Sequence, residues 1–432
     1  MYINARTSLT RIIAGLRSPL YLNGYALMVS AMAMSGLGFV FWVLAARLYA
    51  PAMVGASSAL VSLMMFLAGI AQFNLRGALI RFVPLAGAGA RRLILGAYAA
   101  SLGASLFCGG AVLLLAGWWL PEAATSFARP AFAVWFIISV AAQTIFALQD
   151  HVLTGLRRAL WVPVENLVFS LAKLVLLVAL AGSAFEQGIY YAYTIPILAL
   201  VVPVNYLIFT RWLPAHSAAS GPAAEPLTFT RLARFVAGDY LGSLFALMST
   251  TLIPVLVALV LGAEANAYFY LPWTIAAALE LLALNMTASF TVEATRERAK
   301  LFVYGRRVLG QLAILLALAL GVILPGAPFL LQLIGQEYAD ASAALLRVLA
   351  LSSLPQAVLM LAMSVARVEN RVRTIVVLQA LNCGLLLGLS ALMLPALGIL
   401  AIGWAKLLAQ SGLALLLLGT ALRPLLARPT GA

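Results

Sequence analysis

The most restrictive feature of this sequence is a series of apolar runs, each close to the length that crosses a membrane. A helix of about 20 apolar residues spans the roughly 30 Å hydrocarbon core of a bilayer. The chain of 432 residues is 64% hydrophobic and only 9% charged. The runs are continuously apolar rather than alternating, which excludes the strands of a membrane β-barrel. The sequence therefore predicts an all-α integral membrane protein with about twelve transmembrane helices.

The predicted spans are separated by short polar connections. In chain order they are Leu20–Ala46, Ala52–Leu75, Leu93–Gly117, Ala131–Leu148, Val162–Gly182, Ile189–Thr210, Val236–Leu261, Ala267–Thr291, Val308–Leu333, Ala343–Ala366, Ile375–Leu394 and Leu397–Thr420.

Arginine and lysine fall on alternate connections, before span 1 and after each even-numbered span. The opposite connections carry only two arginines together with most of the acidic loop residues: Arg47, Arg129, Glu122, Glu186, Glu264, Glu337 and Asp340. Cytoplasmic loops of membrane proteins carry an excess of Lys and Arg. Both termini are therefore predicted to lie in the cytoplasm, and topology rather than nucleic-acid binding explains the formal charge of +14.

The longest polar stretch follows span 6 and divides the chain into two halves. We predict an N lobe over 1–210, a cytoplasmic linker over 211–234 and a C lobe over 235–432. Related segments recur 212 residues apart, for example TGLRRALWVPVENLVFSL from Thr154 and ARVENRVRTIVVLQALNC from Ala366. Six spans per half make these parallel repeats, and transporters built from repeats bind substrate between them.

Three short segments of the first half resemble a known family. They are Asn23-Gly24 at the start of span 1, ARLYAPAMVG over Ala46–Gly55, and FNLRGALIRFVP over Phe73–Pro84. On these segments and its two halves, the chain resembles the Wzx-type polysaccharide or O-antigen flippases of the multidrug/oligosaccharidyl-lipid/polysaccharide (MOP) exporter superfamily. That family tends to have a Leu-Gly-Pro-Glu turn after span 1. Ala52 occupies the acidic position here, whereas Leu261, Gly262 and Glu264 keep most of the turn in the second half.

The resemblance implies a MATE-like pair of six-helix lobes that work by alternating access. It also implies a function: moving an undecaprenyl-diphosphate-linked oligosaccharide across the bacterial inner membrane for lipopolysaccharide or exopolysaccharide biosynthesis. The implied partners are the lipid-linked oligosaccharide and membrane lipids, with a polysaccharide polymerase and a chain-length regulator. No cofactor and no enzymatic activity are expected.

Helical spacing places polar residues on common faces of several spans. The faces that hold a charge are Ser58, Ser62, Gly69, Gln72 and Arg76 in span 2; Asn166, Ser170 and Lys173 in span 5; Asp239, Ser243 and Thr250 in span 7; Glu280, Thr287 and Thr291 in span 8; and Gly403, Lys406 and Gln410 in span 12.

Lys173, Glu280 and Lys406 lie near the middle of their spans, where a charge costs about 2.5–3.5 kcal/mol. We predict a water-filled lumen around them; the alternative is a buried ion pair between Glu280 and a lysine. In the first case Lys173, Lys406, Arg76 and Arg347 bind a diphosphate, because Arg and Lys are the usual phosphate-binding side chains. Glu280 and Asp239 are then candidates for ion coupling, with Gln72, Asn166, Ser170 and Gln410 as polar lining. Membrane anchoring is the alternative for Arg76 and Arg347.

Three other functions stay open at this point. They are a MATE-type cation-coupled multidrug exporter, a lipid II flippase, and a membrane enzyme such as a polysaccharide polymerase or ligase. Span 1 contains no acidic residue for a cation site, which argues against the exporter. Short outer connections and the lack of a paired histidine or carboxylate site argue against the enzyme. Cys108 and Cys383 lie in different spans, so no metal site is predicted.

Overall fold

In the computed structural model the chain is helical throughout the part that is described. The structure describes residues 19–119, 127–182, 186–220, 229–420 and 422–423. The side chains of residues 19–33 and of several other positions, Asp239 among them, lie outside this description. The coupling role predicted for Asp239 therefore stays a prediction.

Twelve long helices and two short ones follow one another in the described residues. They are α1 (Pro19–Leu48), α2 (Pro51–Ala71), α3 (Leu75–Phe82), α4 (Ala90–Trp119), α5 (Pro130–Gly155), α6 (Trp161–Leu180), α7 (Gly188–Leu207), α8 (Leu213–Ser220), α9 (Phe229–Leu261), α10 (Ala263–Arg296), α11 (Leu301–Gln332), α12 (Gln336–Val368), α13 (Val372–Leu397) and α14 (Leu400–Gly419).

Eleven helices in the described residues are long and apolar enough to cross a membrane, and α1 contributes a shorter apolar helix, Met34–Leu48. Each predicted span falls on one of the twelve long helices, so the prediction of an all-α membrane protein is confirmed. Several helices are longer than their predicted spans. In particular, α5 runs to Gly155, whereas its predicted span ends at Leu148, and this places Asp150 inside the helix.

We call α1–α7 the N lobe and α9–α14 the C lobe, following the predicted halves. The two halves pack against each other mainly through α2, which contacts α9 and α10. The predicted linker is helical at both ends. A π-helical turn, Ile208–Trp212, continues α7 into α8, and α9 begins at Phe229. Residues 221–228 of the linker lie outside the described residues.

The repeat is visible in the way that α5 and α12 end. Both helices are followed by a residue with a left-handed φ of 59°, Arg157 after α5 and Asn370 after α12. In each case the next N–H reaches back five residues to close the helix end: Arg158 to the Leu153 carbonyl and Arg371 to the Ala366 carbonyl, both at 2.8 Å. The equivalent residues at these two helix ends are thus 213 positions apart, one more than the spacing of 212 residues between the related sequence segments.

The hydrophobic core is shared by the lobes at one end of the bundle and divided at the other. One cluster contains Phe41, Trp42 and Tyr49 of the N lobe together with Leu331 and Tyr338 of the C lobe. At the opposite end, one cluster is formed by buried residues of the first half and of the linker, with Leu232 and Val236 of α9 packed against it. Another cluster there is formed by buried residues of the second half. The predicted topology would place the shared end outside the cell, and this orientation stays a prediction.

Candidate functional site

Small residues on α2 let the lobes approach each other closely. A Cβ on Gly55 would lie 1.6 Å from the Ala263 carbonyl oxygen of α10. A Cβ on Gly69 would lie 2.5 Å from a methyl carbon of Leu247 on α9. Gly55 therefore permits a helix contact between the lobes that no side chain of any size would allow.

We call the contact of α2 with α9 and α10 the seam. Polar side chains add hydrogen bonds across it near Gly55. Asn266 of α10 is fully buried, and its Nδ2 donates to the Gly55 carbonyl at 2.8 Å and to Ser58 Oγ at 3.0 Å. Arg47 Nε, at the end of α1, donates to the Leu333 carbonyl at 3.0 Å. The predicted polar face of span 2 thus packs between the lobes at Ser58 and Gly69 rather than lining open water.

Lys173 lies inside the N lobe and is held by aromatic rings. Its Nζ is 5.2 Å from the ring centroid of Phe41, 4.8 Å from that of Phe169 and 5.1 Å from that of Tyr193. We call these three rings the lysine cage. Only 5% of Lys173 is exposed, and none of the ion pairs among the described residues includes it. Cation–π contacts of this kind contribute about 0.5–2 kcal/mol.

Lys406 has a carboxylate partner within its own lobe. Its Nζ forms a buried ion pair with Oε1 of Glu280 and lies 4.5 Å from the ring centroid of Trp273. Two alternatives were open for Glu280, a water-filled lumen and a buried ion pair with a lysine. The structure contains the ion pair. The lysine in the pair is Lys406 and not Lys173.

A row of aromatic contacts connects the lysine cage with the C lobe. Tyr193 contacts Phe41 at 5.7 Å between centroids, Phe41 contacts Trp42 at 5.3 Å, and Trp42 contacts Tyr270 of α10 at 4.7 Å. Tyr270 lies one helical turn from Trp273, which covers Lys406. The two lysines therefore lie on either side of the seam between the lobes.

Arg347 binds a backbone carbonyl of α11 that a proline leaves without its helical hydrogen bond. Pro328 in α11 has no N–H to donate to the carbonyl four residues earlier, that of Leu324. Arg347 Nε donates to this carbonyl at 2.9 Å. Arg347 therefore has a structural partner in the Leu324 carbonyl. The residue is also exposed, which leaves it accessible to a ligand.

The remaining predicted residues are divided between the lobes. Arg76 Nε donates to Gln72 Oε1 at 2.8 Å, and Arg76 is exposed at the cytoplasmic end of the seam. Asn166 donates to Asp150. Ser170 and Gln410 are buried, and Ser170 Oγ and Gln410 Oε1 have no hydrogen-bond partner. The predicted residues therefore do not form a single cluster in this state.

One polar cluster was missed by the sequence analysis. Gln149 Nε2 donates to Glu165 Oε1, and Asn205 Nδ2 donates to Gln149 Oε1 at 2.6 Å. Asp150 was overlooked because it was assigned to the connection after span 4, and Glu165 because it was assigned to the first turn of span 5, next to that connection. The available signal was the pairing of an acid and an amide at both ends of that connection, Gln149-Asp150 and Glu165-Asn166. No group of three His, Cys, Asp or Glu that could hold a metal ion occurs among the described residues.

No protein-family model and no curated protein matches the sequence. Several solved structures match the fold over most of its length. The chain is similar to an inward-facing multidrug resistance MATE family transporter of the MOP superfamily, with a TM-score of 0.68, 16% identity, and 92% of this chain and 96% of that chain covered. It is also similar to the lipid II flippase MurJ in an inward closed conformation, with a TM-score of 0.71, 10% identity, and 93% and 89% covered.

An outward-facing MATE family transporter of the same superfamily matches less well, with a TM-score of 0.56, 15% identity, and 93% of this chain and 94% of that chain covered. The chain thus has the fold of these MATE and MurJ transporters.

Proposed function

We propose that this protein is a flippase that carries an undecaprenyl-diphosphate-linked oligosaccharide across a bacterial inner membrane by alternating access. Two features support a carrier of this kind: the fold is one that transporters and a lipid flippase use, and the two halves of the chain meet along α2, α9 and α10. In this role the protein would act in surface-polysaccharide assembly, beside a polymerase and a chain-length regulator. Its substrate would enter from the inner leaflet.

The observation that carries the choice of substrate is the burial of Lys173 without a carboxylate partner among the described residues. A buried charge is costly unless it is paired, and the cation–π contacts of the lysine cage supply no negative charge. An anionic headgroup would supply the missing counter-charge. A cationic drug would instead be repelled, which favours a diphosphate over the substrates of a multidrug exporter.

The seam between the lobes gives this lysine a way to meet a substrate. Phe41 belongs both to the lysine cage and to the aromatic row that closes the lobes. When the lobes separate at the outer end, the contact of Trp42 with Tyr270 breaks and the cage loses its support. Arg76, exposed at the inner end, would contact the diphosphate first, and Lys173 would contact it deeper in the membrane.

The sugars of the substrate need a polar route, whereas its lipid tail does not. A hydroxyl group left without a hydrogen bond in an apolar medium costs about 2–7 kcal/mol. The passage between the lobes provides that route, and the prenyl chain stays in the surrounding bilayer. Lys406 and Glu280 neutralise each other and keep the C lobe packed, unless the diphosphate displaces Glu280.

A lipid II flippase is the second candidate, because the similarity to MurJ covers both chains almost completely. Lipid II also presents a diphosphate to a cationic site. The two substrates differ in the sugars and the peptide that follow the diphosphate, so direct binding distinguishes them.

Thermal unfolding of the purified protein in detergent tests the proposal. A ligand at 100 times its Kd stabilises a folded protein by about 2.7 kcal/mol. We expect an upward shift of Tm with undecaprenyl-diphosphate oligosaccharide, a smaller one with the monophosphate lipid, and none with a lipophilic quaternary ammonium drug.

The matched variants are Lys173→Met and Lys300→Met, since Lys300 pairs with Glu297 at an exposed site. Lys173→Met should lose the shift and Lys300→Met should keep it. A shift caused by the drug alone would favour a multidrug exporter, and one caused by lipid II alone would favour a lipid II flippase.

A further inference from the structure

The cytoplasmic end of the N lobe contains two carboxyl groups in a reciprocal arrangement with two amides. Gln149 on α5 donates to Glu165 on α6, while Asn166 on α6 donates to Asp150 on α5 at 3.2 Å. Each helix thus contributes one acid and one amide. The arrangement places both carboxyl groups at the contact between α5 and α6.

Hydrogen-bond acceptors exceed donors in this cluster. Glu165 is 4% exposed and Gln149 is fully buried. Three buried oxygens have no hydrogen-bond partner, namely Asp150 Oδ1, Glu165 Oε2 and Asn205 Oδ1. An unsatisfied buried polar group costs about 1–3 kcal/mol, so three of them together indicate that the cluster binds something that donates or carries positive charge.

The charged and titratable groups around the carboxyls do not balance two negative charges. Arg76 on α3 faces Asp150, and Tyr98 on α4 faces both acids. His151 follows Asp150 on α5 and directs Nδ1 to the Ala147 carbonyl at 2.7 Å. Two neighbouring carboxylates with one facing guanidinium repel each other, and such pairs commonly retain a proton.

The fold does not require acids at these positions. With the 213-residue spacing between the lobes, Asp150 corresponds to Met363 on α12 and Glu165 corresponds to Leu378 on α13. These two residues pack in an ordinary hydrophobic cluster. The same helix pair therefore packs well with apolar side chains, so the acids of the N lobe serve something other than packing.

We propose that Asp150 and Glu165 form a proton-binding site in which one of the two carboxyl groups is protonated at neutral pH. The proton supplies one of the missing donors and removes one of the two negative charges. When it leaves for the cytoplasm, a second carboxylate forms opposite Arg76. Proton binding is independent of any transported substrate; its use to drive lobe movement rests on the proposed function.

Infrared spectroscopy of the purified full-length protein in lipid nanodiscs tests this site without a substrate. A protonated carboxyl group has a C=O stretch that is separate from the carboxylate and amide bands. At neutral pH the wild-type protein should show this band, and the band should disappear when the pH is raised. Glu165→Gln and Asp150→Asn should each lose it, because the one acid that remains has no second carboxylate nearby to disfavour its negative charge.

Glu186→Gln is the matched control, since Glu186 is exposed and pairs with Arg129; it should keep the band. Absence of the band from wild type at neutral pH would overturn the proposal even if the variants did not fold. Persistence of the full band in both site variants would overturn it too. If replacing potassium with sodium removed the band, the site would bind a metal cation instead. All these outcomes are separate from the lipid-induced shift of Tm.

Discussion

The two lobes accommodate buried charge in different ways. In the C lobe, Lys406 pairs directly with Glu280. In the N lobe, Lys173 lies among aromatic rings, and the buried acids Asp150 and Glu165 are bonded to amides near the inner end. A direct ion pair neutralises itself and needs no ligand. Charges kept apart leave a cation and a pair of acids available, so the N lobe is where we expect an anionic substrate and a proton to act.

Breaking the ion pair of the C lobe should give the largest loss of stability. Lys406→Met leaves Glu280 without its partner, and removing one member of a buried pair costs about 3–5 kcal/mol. We expect the lower end of that range, because 20% of the Glu280 side chain is exposed. Denaturant unfolding in detergent measures the change.

The double variant Lys406→Met/Glu280→Leu should recover most of that stability, since two apolar side chains can replace a buried pair. The corresponding change in the N lobe, Lys173→Met, leaves no carboxylate without its partner. It should therefore alter the free energy of unfolding by less than about 2 kcal/mol. Equal losses for Lys406→Met and Lys173→Met would remove the distinction between the lobes.

Enlarging Gly55 should separate the two lobes where they meet. Gly55→Val forces atoms into the space of the Ala263 carbonyl, and overpacking costs about 1–3 kcal/mol. The cost falls on the outer-closed state, so the ratio of open to closed forms should rise roughly 5-fold to 150-fold. A cysteine at Ser58, in a chain with Cys108 and Cys383 replaced by serine, reports opening through its labelling by a membrane-impermeant thiol reagent.

Gly110→Val is the control for that experiment, because a Cβ on Gly110 meets no atom within 4 Å. It should leave labelling at the level of the parent chain. If Gly55→Val also left labelling unchanged, the contact between α2 and α10 would not hold the outer end closed.

Removing one ring of the lysine cage should have the smallest effect. Phe169→Leu keeps an apolar side chain but deletes a cation–π contact worth about 0.5–2 kcal/mol. Phe146→Leu is a matched change, because Phe146 packs on Phe169 at 5.3 Å between centroids and is not in the cage. The difference between the two losses should vanish in a Lys173→Met background, and a difference that persisted would mean that the cage does not stabilise the lysine.

Long apolar runs were enough to predict the helices, because the bilayer restricts what such segments can form. The site was harder to predict because its contacts are tertiary. Phe169 is one turn from Lys173 on the same helix, but Phe41 and Tyr193 come from other helices. The partner of Glu280 was left open for the same reason. Asp150 was missed because apolarity alone ended its span too early.

Transport in proteoliposomes tests the central claim most directly. Purified protein would be reconstituted with a fluorescent undecaprenyl-diphosphate oligosaccharide, and movement of the headgroup between leaflets followed by a membrane-impermeant quencher. Wild type and Lys300→Met should move the lipid at the same rate. Lys173→Met, at equal reconstitution, should be slower by a factor of about ten or more, which corresponds to about 1.4 kcal/mol. A Lys173→Met protein that moves the lipid as fast as wild type would contradict the account.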